Sequence, residues 1–387
     1  MKQETRTIAT TWTRRDTSQA TTINPPLYRG STVLFDCYKD MVLASQHRYE
    51  GISYGTDRLP TQRQFEEAIR EMEGAATTRV LPSGISAIQS ALMAFVATGD
   101  HILICDNAYG PGQRFARKVL ARYGVTMDVY PPDAGENIVD YLRPNTRLIL
   151  MESPGSITFE LQDIRAIAEV AQQHKIVTVL DATWATPLYL QPLALGIDVS
   201  IHSVTKYIGG YSDLLAGTVS VGEKYAETFN SFYSVMEHYT PAEECSLSLR
   251  GLQSLATRLR QHEQSGLKVA QWLQEHALVD QVLHPALAHH PEHHLWKRDF
   301  GGSSGLFGVT LKKEYDMQQL AGFIDSLQLF GLGYSWGGFK SLLTAAKVQR
   351  HTPCHYNDRT IIRLNIGLED TDDLIKDLEQ GLHRLCG

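Results

Sequence analysis

The stretch HSVTKYIGGYSD, residues 202–213, sets a single lysine after an apolar run, among hydroxyls and glycines. Two chemistries fit it. In one, Ser203-Val-Thr-Lys206 is the S-x-x-K of a serine hydrolase, with Ser203 attacking and Lys206 as its base. In the other, the Lys206 amine is itself the nucleophile and the hydroxyls serve another purpose. A hydrolase of that kind carries its serine at the start of a helix, with S-D-N and K-T-G further on. Here SVTK closes a strand-like run, Ser212-Asp213 is followed by Leu214, and neither K-T-G nor G-x-S-x-G occurs. The residues favour the lysine.

Around this stretch, from about residue 60 to 221, helical and strand-like patterns alternate. TQRQFEEAIREMEG (61–74) and SGISAIQSALMAFVATG (83–99) read as helices that stop at glycine. Helices are also expected over 112–123 and 162–174. The short apolar runs HILICD (101–106), RLILMES (147–153), IVTVLDATWA (176–185), VSIHSVTK (199–206) and LAGTVSV (215–221) lack polar alternation. Such runs, separated by helices, predict an α/β fold with a mainly parallel sheet covered on both faces. Ligands bind outside the carboxyl ends of strands in sheets of this kind. Asp106, Glu152, Asp181 and Lys206 all fall at those ends.

After about residue 245 the pattern changes to a long amphipathic helical stretch (247–276), a His- and Pro-rich segment (284–296) and strand-like GLFGVTLKK (305–313). This suggests an α/β domain over 57–248 and a smaller α+β domain over 249–387. A chain of 387 residues with 43% hydrophobic and 20% charged residues can bury large cores of this kind. A formal charge of −7 argues against a nucleic-acid or anionic-membrane partner. No apolar run reaches the roughly 18 residues of a membrane span. The five dispersed cysteines lack C-x-x-C spacing, and with an N-terminal stretch devoid of an apolar core they suggest a cytoplasmic chain.

Asp181 and Lys206 sit at neighbouring strand ends of the expected sheet. A Schiff-base lysine and an acidic partner for a pyridinium nitrogen are what pyridoxal phosphate asks of a protein, although a structural ion pair would give the same two residues. LPSGISA (81–87) opens a helix on a glycine turn, a suitable seat for a phosphate, or simply a serine cap. Ser203 and Thr205 could add hydroxyl donors there. Gly331-Leu-Gly333 lacks the third glycine of a dinucleotide fingerprint, and the histidines at 284, 289, 290, 293 and 294 read as a solvated loop, so no metal is expected.

Longer stretches carry a resemblance. MESPGS (151–156), LDATWA (180–185), GIDVSIHSVTKYIGGYSD (196–213), HPAL (284–287), LWKRDFGGSSGLF (295–307), YSWGG (334–338) and IRLNIGLED (362–370) make the chain resemble the pyridoxal-phosphate enzymes of cysteine and methionine metabolism. That family has the aspartate-aminotransferase-like fold, fold type I. The resemblance implies pyridoxal 5′-phosphate held by Lys206, with Asp181 facing the ring nitrogen and Tyr109 stacked on the ring. It implies phosphate contacts from Gly84, Ile85, Ser203 and Thr205, and a substrate amino acid held by Arg363, Ser335 and Trp336. Lys206, Tyr109 and Asp181 are the catalytic candidates. The Tyr-Ser-Trp wording is nearest the carbon–sulfur β-lyases, which implies cleavage of cystathionine to homocysteine, pyruvate and ammonia. Rivals are a cysteine desulfhydrase or cysteine-S-conjugate lyase, then a γ-lyase or γ-synthase, and, in another class, a catalytically silent binding protein.

One position departs from the family pattern Tyr-x-Arg-x-Gly-x-Pro-Thr, whose Tyr and Arg reach a neighbouring subunit's phosphate and substrate site. Tyr54, Pro60 and Thr61 match, but Thr56 stands where the arginine belongs and Arg58 follows two places later. The resemblance implies an N-terminal arm over 1–56 that contributes to a neighbouring subunit of a homo-oligomer built as a dimer of dimers, with Arg58, beside Tyr54, expected to supply the missing charge.

Overall fold

The computed structural model describes residues 4–11, 23–46 and 51–385. The expected arm over 1–56 is therefore described only in part, and Cys386 lies outside the described residues.

Seven strands form the first sheet: β1 (Thr77–Leu81), β2 (His101–Cys105), β3 (Thr126–Tyr130), β4 (Thr146–Glu152), β5 (Val177–Asp181), β6 (Val199–Ser203) and β7 (Gly217–Val221). Their order is β1-β7-β6-β5-β4-β2-β3. Pairings from β6 through to β3 are parallel, and β7 runs antiparallel to both of its neighbours. β2 and β7 are buried along their whole length, and β5 and β6 in all but their last residue. This explains why they read as unbroken apolar runs. The expected α/β class with a mainly parallel sheet is what the chain adopts.

The helices follow their sequence signals. Pro60 opens Pro60–Glu73, whose inner face buries Phe65, Ala68, Ile69 and Met72 at helical spacing, and Gly74 closes it with φ +63°. Ser83 caps Gly84–Phe95 by accepting a hydrogen bond from the Ser86 N–H at 3.2 Å. The helix expected over 112–123 divides into Gly110–Lys118 and a tighter 3-10 turn, Leu120–Tyr123.

The second sheet contains β8 (Val279–Leu283), β9 (Leu306–Leu311), β10 (Gly331–Leu332), β11 (Leu342–Lys347) and β12 (Thr360–Asn365), in the order β10-β11-β12-β9-β8. A 34-residue helix, Ala242–Glu275, serves both halves. Leu249, Leu252, Leu255 and Leu259 join a cluster with the Pro60–Glu73 helix, whereas Val269, Ala270 and Leu273 join the core of the second sheet. The division expected at 248 falls inside this helix.

Asp106, one of the four strand-end residues, fastens the halves together. Its carboxylate accepts hydrogen bonds from the His351 and Thr352 N–H groups, each at 2.7 Å, and from the Thr352 hydroxyl. The other three strand-end residues face a common crevice. Among the described residues no helix is long and apolar enough to cross a membrane, and no cluster of His, Cys, Asp or Glu is arranged to hold a metal.

Candidate active site

A cavity of about 350 Å³ opens at the carboxyl ends of β4, β5 and β6, and its lining runs from Ser83, Gly84 and Ile85 to Tyr334, Ser335, Trp336 and Arg363. That volume lies at the small end of ligand pockets. Asp181, Lys206, Tyr109, Ser203 and Thr205 also line it. The structure thus brings together ten of the twelve residues to which the resemblance gives a role.

One end offers neutral donors. The Gly84–Phe95 helix presents its first turn, where backbone N–H groups have no partner within the helix and the positive end of its dipole lies. Gly84 is required there: a Cβ would stand 2.5 Å from the Ser203 hydroxyl oxygen. The cradle is therefore built from glycine on one side and a hydroxyl on the other.

The floor is acidic. Asp181 ends β5 and accepts hydrogen bonds from both the N–H and the hydroxyl of Thr183. The same Thr183 hydroxyl accepts the Ser203 N–H at 2.8 Å, locking the ends of β5 and β6 together. Burial pushes the Asp181 carboxyl above its ordinary range, against the pull of those Thr183 bonds, His202 and Lys206. Glu152 is its register partner on β4. Burial and the neighbouring Asp181 charge raise Glu152 to about 8. The adjacent carboxyls therefore hold a proton at neutral pH in this cavity. Glu152 accepts the Tyr109 N–H at 2.6 Å and the Ser156 hydroxyl at 2.7 Å, and so fixes the turn that carries Tyr109.

Lys206 follows β6 after a short turn and stands between the floor and the other end. Its Nζ donates to Ser335 Oγ at 2.8 Å and lies 5.6 Å from the centre of the Trp336 ring. Burial, reinforced by the Arg363 charge and opposed by Asp181, lowers it to about 8. A substantial share of the amine is then neutral near pH 7.5, as a nucleophile or proton acceptor requires.

At the far end, Arg363 on β12 donates to the Ser335 carbonyl at 3.2 Å. Ser335 has φ +81°, a conformation that costs a non-glycine residue about 1–3 kcal/mol. Bonds from Lys206 and Arg363 to its hydroxyl and carbonyl hold it there. Gly337, at φ +82°, lets this loop approach the Lys206 backbone, since a Cβ would sit 2.8 Å from the Tyr207 nitrogen.

Two expected residues lie elsewhere. Tyr54 is 51% exposed and lines a separate surface hollow with Arg29, Thr56 and Glu243. Arg58 does not fit its expected role. Its guanidinium is buried and donates to Glu66 Oε2 at 2.8 Å, and Arg79 approaches the same oxygen at 3.5 Å. Glu66 lies eight positions on, one turn and more into the next helix, so loop sequence alone does not reveal the pairing. Arg58→Ala is accordingly expected to act on folding: breaking a buried pair costs about 3–5 kcal/mol. Chemical denaturation should show that loss, with cofactor affinity in the folded fraction changed by less than about twofold.

Thr183 was not among the expected site residues, and Glu152 was expected only as a strand-end residue with no role. Both sit in the motifs MESPGS and LDATWA, and Thr183, two places beyond Asp181, has the spacing of a hydroxyl that bonds a nearby carboxylate. The arrangement as a whole can seat a phosphate at the helix start, a protonated ring nitrogen at Asp181, an aldehyde carbon at Lys206 and a carboxylate at Arg363.

Known proteins resemble this chain throughout its length. A family model described as Cys/Met metabolism PLP-dependent enzyme matches residues 4–383. Cystathionine beta-lyase MetC of Escherichia coli is 39% identical over 94% of this chain and 94% of its own. An L-alanine/L-glutamate racemase of Wolbachia pipientis is also 39% identical, over 94% of this chain and 93% of its own. Among solved structures, metB from Corynebacterium glutamicum superposes with a TM-score of 0.89 at 28% identity, covering 99% of this chain and 98% of that one.

Proposed function

Because this chain belongs to the Cys/Met metabolism PLP-dependent enzymes, whose cofactor is pyridoxal 5′-phosphate, we propose that it is a carbon–sulfur β-lyase that cleaves L-cystathionine. The observation that carries the reading is the position of Lys206, in one cavity with the acidic floor and with Arg363. The preference for β-elimination rests on the E. coli relative and on Tyr334-Ser335-Trp336.

When bound, the cofactor supplies an electron sink that stabilises negative charge at the substrate α-carbon. Gly84, Ile85 and Ser203 would donate to its phosphate. The Thr205 hydroxyl, which donates to the Ala216 carbonyl at 3.2 Å and accepts the Ala216 N–H at 3.1 Å, would have to give up the first of these bonds to join them. Asp181 accepts from the ring nitrogen and keeps it protonated; Thr183 aims that carboxylate, and Glu152 holds the turn from which Tyr109 covers the ring. Arg363 takes the substrate carboxylate, for which a guanidinium offers two parallel donors. Ser335 and Trp336 border the substrate. Lys206 would anchor the cofactor and, once freed by the substrate amine, accept the α-proton as a neutral amine. As the β-carbon–sulfur bond breaks it would pass that proton to the departing sulfur, so that homocysteine leaves as the thiol. Water converts the remaining three-carbon enamine to pyruvate and ammonia.

Racemisation, the activity for which the Wolbachia relative is named, begins with the same proton transfer and returns the proton to the opposite face. The test is to supply L-cystathionine and identify the oxo acid. Pyruvate is expected, formed faster than from cystine or cysteine. Formation of 2-oxobutyrate would assign γ-elimination, faster cleavage of cysteine a desulfhydrase, and D-alanine from L-alanine without pyruvate a racemase.

A further inference from the structure

The cavity wall that carries Tyr109 is held by a side chain from the other half of the molecule. β11 and β12 pair as a hairpin whose second strand bears Arg363 and whose connecting loop bears Arg350. That loop is fixed on its own side. The Val348 N–H donates to the Arg359 carbonyl at 3.1 Å, and the Asp358 N–H donates back to the Val348 carbonyl at 2.9 Å. The Arg350 N–H donates to Asn357 Oδ1 at 2.9 Å. From this base the Arg350 side chain, 9% exposed, reaches across to the first half.

Its guanidinium joins the turn after β2 to the turn after β4. Nη1 donates to the Asp106 carbonyl at 2.5 Å, three residues before Tyr109. Nη2 donates to the Thr158 hydroxyl at 2.5 Å and to the Ser156 carbonyl at 3.4 Å. The Glu160 carboxylate lies 3.8 Å from the same nitrogen. The two turns also touch directly: the Ser156 N–H donates to the Asn107 carbonyl at 2.8 Å, and a Cβ on Gly155 would stand 2.1 Å from the Asn107 amide nitrogen. Ser156, Ile157 and Phe159 line the cavity beside Tyr109. Tyr109 is itself 47% exposed, so the turn that bears it, and not packing around its ring, decides where the ring stands. A buried charge is costly unless it is paired and hydrogen-bonded. Here its closest acceptors are two backbone carbonyls and a hydroxyl, which a planar fork of fixed donors can hold at once.

We propose that Arg350 is a positioning residue for Tyr109. It clamps the two turns of the cavity wall together and ties them to the hairpin that bears Arg363, so that the ring cover and the substrate arginine keep a fixed spacing. The proposal rests on the pyridoxal-phosphate reading, in which Tyr109 covers the ring, and not on the choice of lyase substrate.

The first measurement needs no cofactor: hydrogen exchange of the cofactor-free full-length protein, read by mass spectrometry. Arg350→Ala should speed exchange about 10-fold or more in peptides spanning 106–110 and 154–159, the effect of a lost charge-assisted hydrogen bond, while β5 and β6 stay protected. Pyridoxal 5′-phosphate titrated into the same protein should bind about 10-fold more weakly. The visible circular dichroism per bound cofactor should fall, because the ring loses its fixed cover. Arg350→Lys should recover part of each loss, since it keeps the charge without the fork. Thr158→Val removes one acceptor and leaves the buried charge in place; it should loosen the same two turns to a smaller degree. Arg359→Ala breaks ion pairs to Asp280 and Glu314 at the base of the same loop. It should lower thermal stability and leave both turns and the dichroism unchanged; an effect equal to that of Arg350→Ala would remove the assignment to Arg350. Unchanged exchange at both turns in Arg350→Ala would overturn the proposal, as would loosened turns with unaltered cofactor affinity and dichroism. An unsubstituted chain that takes up no cofactor would remove the pyridoxal-phosphate reading instead, and the exchange result would still decide whether Arg350 holds the wall.

Discussion

Replacing Lys206 with alanine is expected to lower cystathionine cleavage by about 10⁴-fold or more, because one side chain supplies both the covalent attachment and the proton acceptor. The visible absorption of the bound cofactor should disappear from the purified protein at the same time. The physical basis is that nothing near Lys206 can replace it. Its neighbours within reach are the Ser335 hydroxyl and the Trp336 ring, neither of which is an amine. Circular dichroism should remain that of the folded chain, since the alanine removes a polar group that burial already disfavours as a cation. A coloured, active Lys206→Ala protein would show that attachment and proton transfer lie elsewhere.

The second large effect belongs to Asp181→Asn. The substitution keeps shape and removes charge, and Thr183 can still donate to the amide oxygen. What is lost is the negative partner that keeps the ring nitrogen protonated. Removing one preorganised electrostatic partner from a dry site lowers kcat by about 10²- to 10³-fold. Colour should persist, because Lys206 is intact, and this separates the two variants. In the cavity as described, burial raises the Asp181 carboxyl and Glu152 shares its proton. A cation at the ring nitrogen reverses the first of these effects by favouring the charged carboxylate. An Asp181→Asn enzyme with undiminished kcat would mean that the ring nitrogen has another partner.

Much of this was legible in the sequence, for reasons that can be traced. Strands β2, β5, β6 and β7 are buried on both faces and show as unbroken apolar runs, so the strand ends and the residues on them could be located. β1 and β3 were not recognised as strands. β3 is an edge strand whose residues are mostly half-exposed, and TMDVY carries a charge in its middle. β1 carries Arg79, whose charge finds Glu66 on the helix packed beside it. Tertiary partners of this kind override local pattern.

The same reason explains the site. Lys206 and Asp181 could be singled out because their chemistry and their places at strand ends agree, whereas Arg363, inside β12, stood out only through the family resemblance. Arg58 looked available because it stands two places from the expected position, and only the fold shows Glu66 closing on it.

The central claim is that Lys206 anchors pyridoxal phosphate in the cavity at the ends of β4, β5 and β6. Borohydride reduction of the loaded protein, followed by digestion and mass spectrometry, tests it most directly. The account predicts one modified peptide, carrying the reduced phosphopyridoxyl group on Lys206. A label on another lysine, or no label in a protein that has bound the cofactor, would contradict it.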